Sequence, residues 1–422
     1  MPSEVDLLRS LSDEPDTPST VNIRKAMDVG RRRRVRRSAG YAGAAALTAI
    51  AVTGTSVAIN LAAGDQAAPP APEAAAGGKP KPSASAPAVA PTAKAPAGCV
   101  IHRLKPPDNA PMALVSGADP TGKYVVGRSY PKAGGYQAVI WNDGKGKKVM
   151  LPGDSEESLQ DVNSAGDAVG WSYQGEGEAV GPVPYAYAGG KVIKMRGPKY
   201  AEPRAINNAG VVVGVANGAN LSAGAGLRWP SPTAEPVPLP VPAGTTSTRP
   251  MDIAEDGTIV GGLNFETPVM WTADGEMREL PMPEIDGRPA AVAQAFDVSD
   301  GWATGMASTE KIAPGSGGGA KSASAPIFAV RWNLRTGEAQ VVKQLKDPAD
   351  EVNALGWMVG TDAKGYATLV AGGTAVRLPD LGKNPGDGVT TIATTISDDG
   401  RFIAGQSGNK DEVIQAVVWR CE

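Results

Sequence analysis

From residue 112 onward the apolar positions come in short bursts separated by glycine-centred turns, the pattern of strands and not of helices. One phrase accounts for most of it: a turn glycine, a few mostly apolar residues, then a second glycine. The pairs are Gly122/Gly127, Gly166/Gly170, Gly210/Gly214, Gly257/Gly261, Gly301/Gly305, Gly356/Gly360 and Gly400/Gly405. The second glycines fall 43, 44, 47, 44, 55 and 45 residues apart. A period in the forties built from short strands is that of a β-propeller. The expectation is therefore an all-β, seven-bladed propeller over 99–422.

Each copy reads as four strands. The first carries phrases such as Asp161-Val162-Asn163, Ala205-Ile206-Asn207 and Thr395-Ile396-Ser397. Asn and Ser there suit a hairpin turn, because their side chains bond nearby backbone N–H groups. The second strand holds the second glycine, whose lack of a side chain predicts a close approach between blades. The third ends in an aromatic slot filled by Trp141, Trp229, Trp271, Trp332 and Trp419, with Tyr187 and Val370 in the second and sixth copies. A slot that recurs in most copies predicts packing between blades. The fourth strand often ends in Leu-Pro, as at Leu239-Pro240, Leu280-Pro281 and Leu378-Pro379. Proline costs little at the end of an outer edge strand.

The seventh copy stops at Glu422, three residues past its slot, and has no fourth strand. An orphan strand, Cys99 to Leu104, has the missing character, so the N-terminal strand should complete the last blade. Aligned on the fourth copy, Cys421 takes the place of Ala273 and Cys99 that of Gly275, on either side of a hairpin turn. A Cys99–Cys421 disulfide is within reach there and would replace the covalent turn of the other blades. A single histidine, His102, and no C-x-x-C motif argue against zinc.

The segment before the repeats divides into three. Residues 1–37 are polar and end in a run of arginines, Arg31 to Arg34 with Arg36 and Arg37. Residues 38–64 are uncharged and Ala-rich, long enough to cross a bilayer, and the arginines before them place the N-terminus in the cytoplasm. Residues 65–98 carry eight prolines among Ala, Gly, Ser and Lys. That composition predicts a disordered stalk reaching about 100 Å at ~3.1 Å per residue. The reading is an uncleaved anchor with the propeller outside the cell, which agrees with a disulfide. From Cys99 onward there are 29 Lys+Arg against 36 Asp+Glu. That acidic balance argues against nucleic acid as a partner.

The phrases INNAGVVVG, VNSAGDAVG and QAVVW resemble the HAF-type repeats of bacterial extracellular propellers, across residues 99–422. The His-Ala-Phe triplet itself is absent, with Gln-Ala-Val or Phe-Ala-Val in its place. SDDGRFIAG is also similar to TolB-type and WD-repeat propellers. The layout of basic head, single span, proline-rich stalk and propeller resembles that of actinobacterial membrane-anchored surface proteins. Some anti-sigma factors share it, but the His/Cys zinc motif of their cytoplasmic domain is missing from 1–37.

Candidate chemistry is sparse. If the first strand lines the central channel, its slot five before the turn glycine brings Asp161, Asp252, Asp297 (one residue nearer in a shorter copy) and Glu351 towards one axis. Four acids there would suit Ca²⁺ or a cationic group, or would accept N–H groups of a neighbouring loop. Insertions between second and third strands share a face with Gln160, Arg204, Arg249 and Gln294, the expected ligand-binding surface. The one histidine, His102, lies in the closing strand beside the cysteine pair, a poor place for a general base, and the chain is expected not to be an enzyme. The function expected is a monomeric surface binding or scaffold module for wall polysaccharide, another carbohydrate or a protein. The alternatives are a transmembrane regulator acting through 1–37 and a carboxylate-dependent glycan hydrolase or lyase.

Overall fold

The computed structural model describes residues 93–422 except 132–135, 154–155, 176–180, 217–223, 312–324 and 383–390. The basic head, the apolar segment 38–64 and the linker up to residue 92 lie outside the described residues. Among the described residues no helix is long and apolar enough to cross a membrane.

Seven four-stranded antiparallel sheets form the propeller, six of them in chain order from first strand to fourth and the seventh taking the N-terminal strand as its fourth. The first strands are Met112–Ala118, Glu157–Val162, Ala201–Ile206, Thr248–Ile253, Val292–Ser299, Glu351–Val352 and Ile392–Ile396. They surround the axis, since all seven contribute to one central cavity. The turn glycines that follow have φ between 68° and 85°, the left-handed region open to glycine at no cost. The turn asparagines act as the sequence predicts. Asn163 Oδ1 accepts the N–H groups of Ala165 and Asp167, both at 3.0 Å. Its amide nitrogen also reaches the next blade, donating to the Asn207 carbonyl at 3.2 Å.

The second glycines have a different reason from the one expected. In six blades the first strand bulges, its register against the second strand slipping by one residue, as between Leu159 and Asp161 or Pro250 and Asp252. The bulge drives a first-strand carbonyl onto the glycine of the same blade. A Cβ on Gly127, Gly170, Gly214, Gly261, Gly305 or Gly405 would come within 2.0–2.3 Å of that oxygen, which no side chain tolerates. The close approach therefore lies within the blade, not between blades. The sixth blade, with no recorded bulge, gives Gly360 a looser fit, 3.2 Å from a Leu345 methyl.

The slot tryptophans are fully buried and staple blade to blade. Each indole N–H donates to a backbone carbonyl at the end of the preceding fourth strand. The acceptors are Lys105 for Trp141 and Arg196 for Trp229, at 2.9 Å each, then Pro240 for Trp271, Pro281 for Trp332 and Pro379 for Trp419, at 2.8 Å each. The Leu-Pro phrase thus supplies a buried leucine and an acceptor that no ladder partner competes for.

Closure follows the sequence reading. Cys99–Arg103 pairs with Ile414–Cys421 as the outer strand of the seventh blade, with Cys99 opposite Cys421. The two are joined by a disulfide with a Cα–Cα distance of 4.0 Å, spanning 322 residues of chain.

Two outcomes check this account. Reduction, or Cys99→Ser with Cys421→Ser, should lower stability by about 2–5 kcal/mol in denaturant unfolding. Trp271→Phe should cost about 1–3 kcal/mol by stranding the Pro240 carbonyl, whereas Tyr187→Phe, at the half-buried slot of the second blade, should cost little.

Candidate functional site: the axial cavity

The bulges build the site. A bulge sets two residues of one strand against one of its partner, so the alternation of faces breaks there. The extra residues are Ser116, Gln160, Arg204, Met251, Phe296 and Thr394. All six line the central cavity, together with Asp350 from the sixth blade. The residues that follow most of them, Gly117, Asp161, Ala205, Asp252, Asp297 and Glu351, line it too. The cavity has a volume of about 190 Å³, room for roughly a dozen water molecules.

Of the acids expected near the axis, all four are there. Each gives one carboxylate oxygen to the next blade. Asp161 Oδ2 accepts the Ile206 N–H at 2.8 Å, Asp252 Oδ2 the Val298 N–H at 2.9 Å, and Asp297 Oδ2 the Val352 N–H at 2.7 Å. Glu351 Oε1 accepts from the Ile396 N–H at 3.1 Å and from the Thr395 hydroxyl at 2.9 Å. The blades without an acid hold Gly117, Ala205 and Thr395 at this level, so the charge is uneven around the ring, with acids on the second, fourth, fifth and sixth blades. At Gly117 there is no room for more, because a Cβ would sit 2.7 Å from the Gln160 carbonyl.

Burial raises the pKa of all four. Desolvation is the largest cause in each, and Asp161, Asp297 and Glu351 are pushed well above the usual carboxylate range. The charge of Asp252 raises Asp161, Asp297 and Glu351 further. Asp252 and Asp297 are hydrogen-bonded to each other, which holds Asp252 down and Asp297 up. Two carboxyl groups so placed share a proton. The acidic groups can therefore hold a cation, or offer one protonated and one ionised carboxyl to a reacting molecule.

Among the described residues no three acidic, histidine or cysteine groups come together to hold a metal ion. The carboxylates are spread over different blades and each is turned by its backbone N–H towards its neighbour.

The four residues expected to form a binding surface separate into two pairs. Gln160 and Arg204 line the cavity. Arg249 and Gln294 do not; they are buried against the turn between second and third strands of the fourth blade. The Arg249 guanidinium lies 5.0 Å from the centre of the Phe265 ring, and Gln294 Nε2 donates to the Phe265 carbonyl at 3.3 Å. Phe265 and Asn264 both have left-handed backbones, with φ of 61° and 52°. These contacts hold a tight turn in place.

Sequence reasoning missed Ser116, Met251, Phe296, Asp350 and Thr394. The signal was present: each sits immediately before the acid slot. Strand alternation assigns that position to the opposite face; in the six bulged blades the bulge turns it inward, and in the sixth blade Asp350 lines the cavity from just before a short first strand.

No family model and no curated protein matches the chain by sequence. Solved structures share the fold. An oligogalacturonate lyase in complex with manganese aligns over 76% of this chain and 93% of its own, at 12% identity and a TM-score of 0.46. The β-propeller domain of the Trilobed protease from Pyrococcus furiosus aligns over 73% and 95%, at 12% identity and 0.45. YCF48 bound to D1 peptide aligns over 80% and 99%, at 14% identity and 0.44. Likeness at this level shows the propeller fold alone. It does correct one expectation: with a lyase among the structures of this fold, the chain cannot be set down as a non-enzyme on its architecture.

The raised carboxyls set a pH dependence. The folded state holds protons that the unfolded chain releases above about pH 4. The stability these four groups contribute is therefore fully present below that value and is lost as pH rises through their folded pKa values. Asp297→Asn keeps an acceptor for the Val352 N–H and removes a charge. It should raise the melting temperature more at pH 8 than at pH 5, flattening the profile measured by calorimetry.

Proposed function

We propose that the protein is a membrane-anchored extracellular binding propeller whose axial cavity takes a cationic group of a wall component or surface protein. The observation that carries the reading is the convergence of four carboxyl groups on one cavity of about 190 Å³. Each spends one oxygen on a backbone N–H, leaving acceptor capacity on the other. An ammonium entering the cavity would displace the shared proton and relieve the repulsion among the acids. Met251 and Phe296, on the same side as Asp252 and Asp297, offer apolar surface to an aliphatic stem.

The location rests on other features. The uncharged segment 38–64 with arginines ahead of it supports an anchor with the N-terminus inside. The Cys99–Cys421 disulfide favours an oxidising compartment for the propeller. The acidic balance from Cys99 onward supports a cationic partner, and the HAF-type phrases support a surface protein.

Calorimetric titration of the full chain with pentylamine tests the reading. Saturable binding that weakens at least tenfold in Glu351→Gln is the expected result. Binding unchanged by that substitution, or no binding at all, would place the function elsewhere on the propeller.

A further inference from the structure

Arg204 does not fit a site that takes a cation alone. It is the only cation among the residues lining the cavity, and it sits in the third blade between the carboxylates of the second and fourth. The slot beside it holds Ala205, so no acid lies in its own blade at that level. Its hydrogen bonds are poor. Nη2 reaches Glu202 Oε2 at 3.4 Å and Nη1 reaches the Met251 sulfur at 3.5 Å. Its Nε is buried and has no partner. A buried guanidinium N–H is an expensive group to leave unmade, and such orphans call for an explanation. A guanidinium edge suits one partner best, a carboxylate accepting two parallel bonds.

From this we infer that the ligand group is a zwitterion: an amino acid whose ammonium meets the acidic groups and whose carboxylate meets Arg204. The inference rests on the cation reading of the cavity and adds the second charge. Asp161 and Asp252 flank Arg204 from the adjacent blades, so the two charges of one α-carbon can be served together. A side chain would then lie along Met251 and Phe296. Gln160, beside Arg204 on the cavity wall, can accept from the ammonium or donate to the carboxylate. The arrangement also selects. A simple amine leaves the Arg204 Nε without a partner, its Nη2 being ion-paired with Glu202, and a simple carboxylate faces the acidic groups with no ammonium between them.

Three molecules with one carbon chain separate the terms: norleucine with both charges, pentylamine with the ammonium only, and hexanoate with the carboxylate only. Calorimetric titration of the full chain should give norleucine at least tenfold tighter than pentylamine, with hexanoate not bound. Arg204→Gln should erase the advantage of norleucine over pentylamine. Arg204→Lys, which keeps the charge and loses the planar fork, should recover only part of it. Equal affinity for norleucine and pentylamine would overturn the zwitterion while sparing the cation reading. Binding of neither would remove both, and hexanoate bound as tightly as norleucine would show that the acidic groups play no part. Circular dichroism and the melting temperature of each variant separate lost binding from lost folding. A folded Arg204→Gln that keeps the norleucine advantage would also overturn the inference.

Discussion

The axial architecture depends on one steric constraint, a first-strand carbonyl pressed against a glycine of the second strand. Where the bulge occurs, the oxygen stands 2.0–2.3 Å from the place a Cβ would take. Glycine permits the bulge, and in the first five blades the bulge brings two successive residues of the first strand to the axis. Without it the strand would show the axis one residue in two, and the ring would have a single layer. The second layer is what makes a lined cavity instead of a plain channel. A packing device repeated for the fold thus sets the chemistry of the centre.

Around that centre the blades are tied at three radii. Carboxylates near the axis accept N–H groups of the next first strand. Turn asparagines donate to carbonyls one blade on, as Asn207 to Ala254 at 3.2 Å and Asn353 to Ser397 at 3.0 Å. Tryptophans do the same from the third strand to the end of the preceding fourth. All three run between neighbours only, so the ring is as strong as its closure. The N-terminal strand and the disulfide make the last interface equal to the rest. Even Lys105, just past the closing strand, supplies the acceptor for Trp141 that Leu-Pro phrases supply elsewhere.

Fold and closure were legible in the sequence because they rest on repetition and counting. A period in the forties, a missing fourth strand and an orphan first strand leave one arrangement. The cavity was only half legible. The acid slot could be seen because it follows strand alternation from the turn glycine. Arg204 and Gln160 were picked out for their chemistry but assigned to an outer face. Met251 and Phe296 were not picked out at all. What hid them is the bulge, whose only mark in the sequence is the glycine of the other strand. Arg249 and Gln294 misled for the opposite reason. Polar and long, they read as surface groups, yet a tight turn with Phe265 in a left-handed conformation takes up their hydrogen-bonding and stacking capacity.

The acidic groups are where fold and function pull against each other. Each carboxylate secures a blade through one oxygen, and each suffers from burial and from its neighbours. Asparagine could accept the same N–H without the charge, as the turn belt demonstrates a few residues away. Acids at four of seven positions therefore do something that inter-blade bonding does not require. Carboxyl groups with pKa values raised by burial in a cleft are characteristic of sites prepared for a ligand, and Gly117, Ala205 and Thr395 leave their distribution uneven around the ring. An evenly charged ring would bind a symmetric ion on the axis. An uneven ring with a single arginine set between two of its acids distinguishes the two ends of whatever enters.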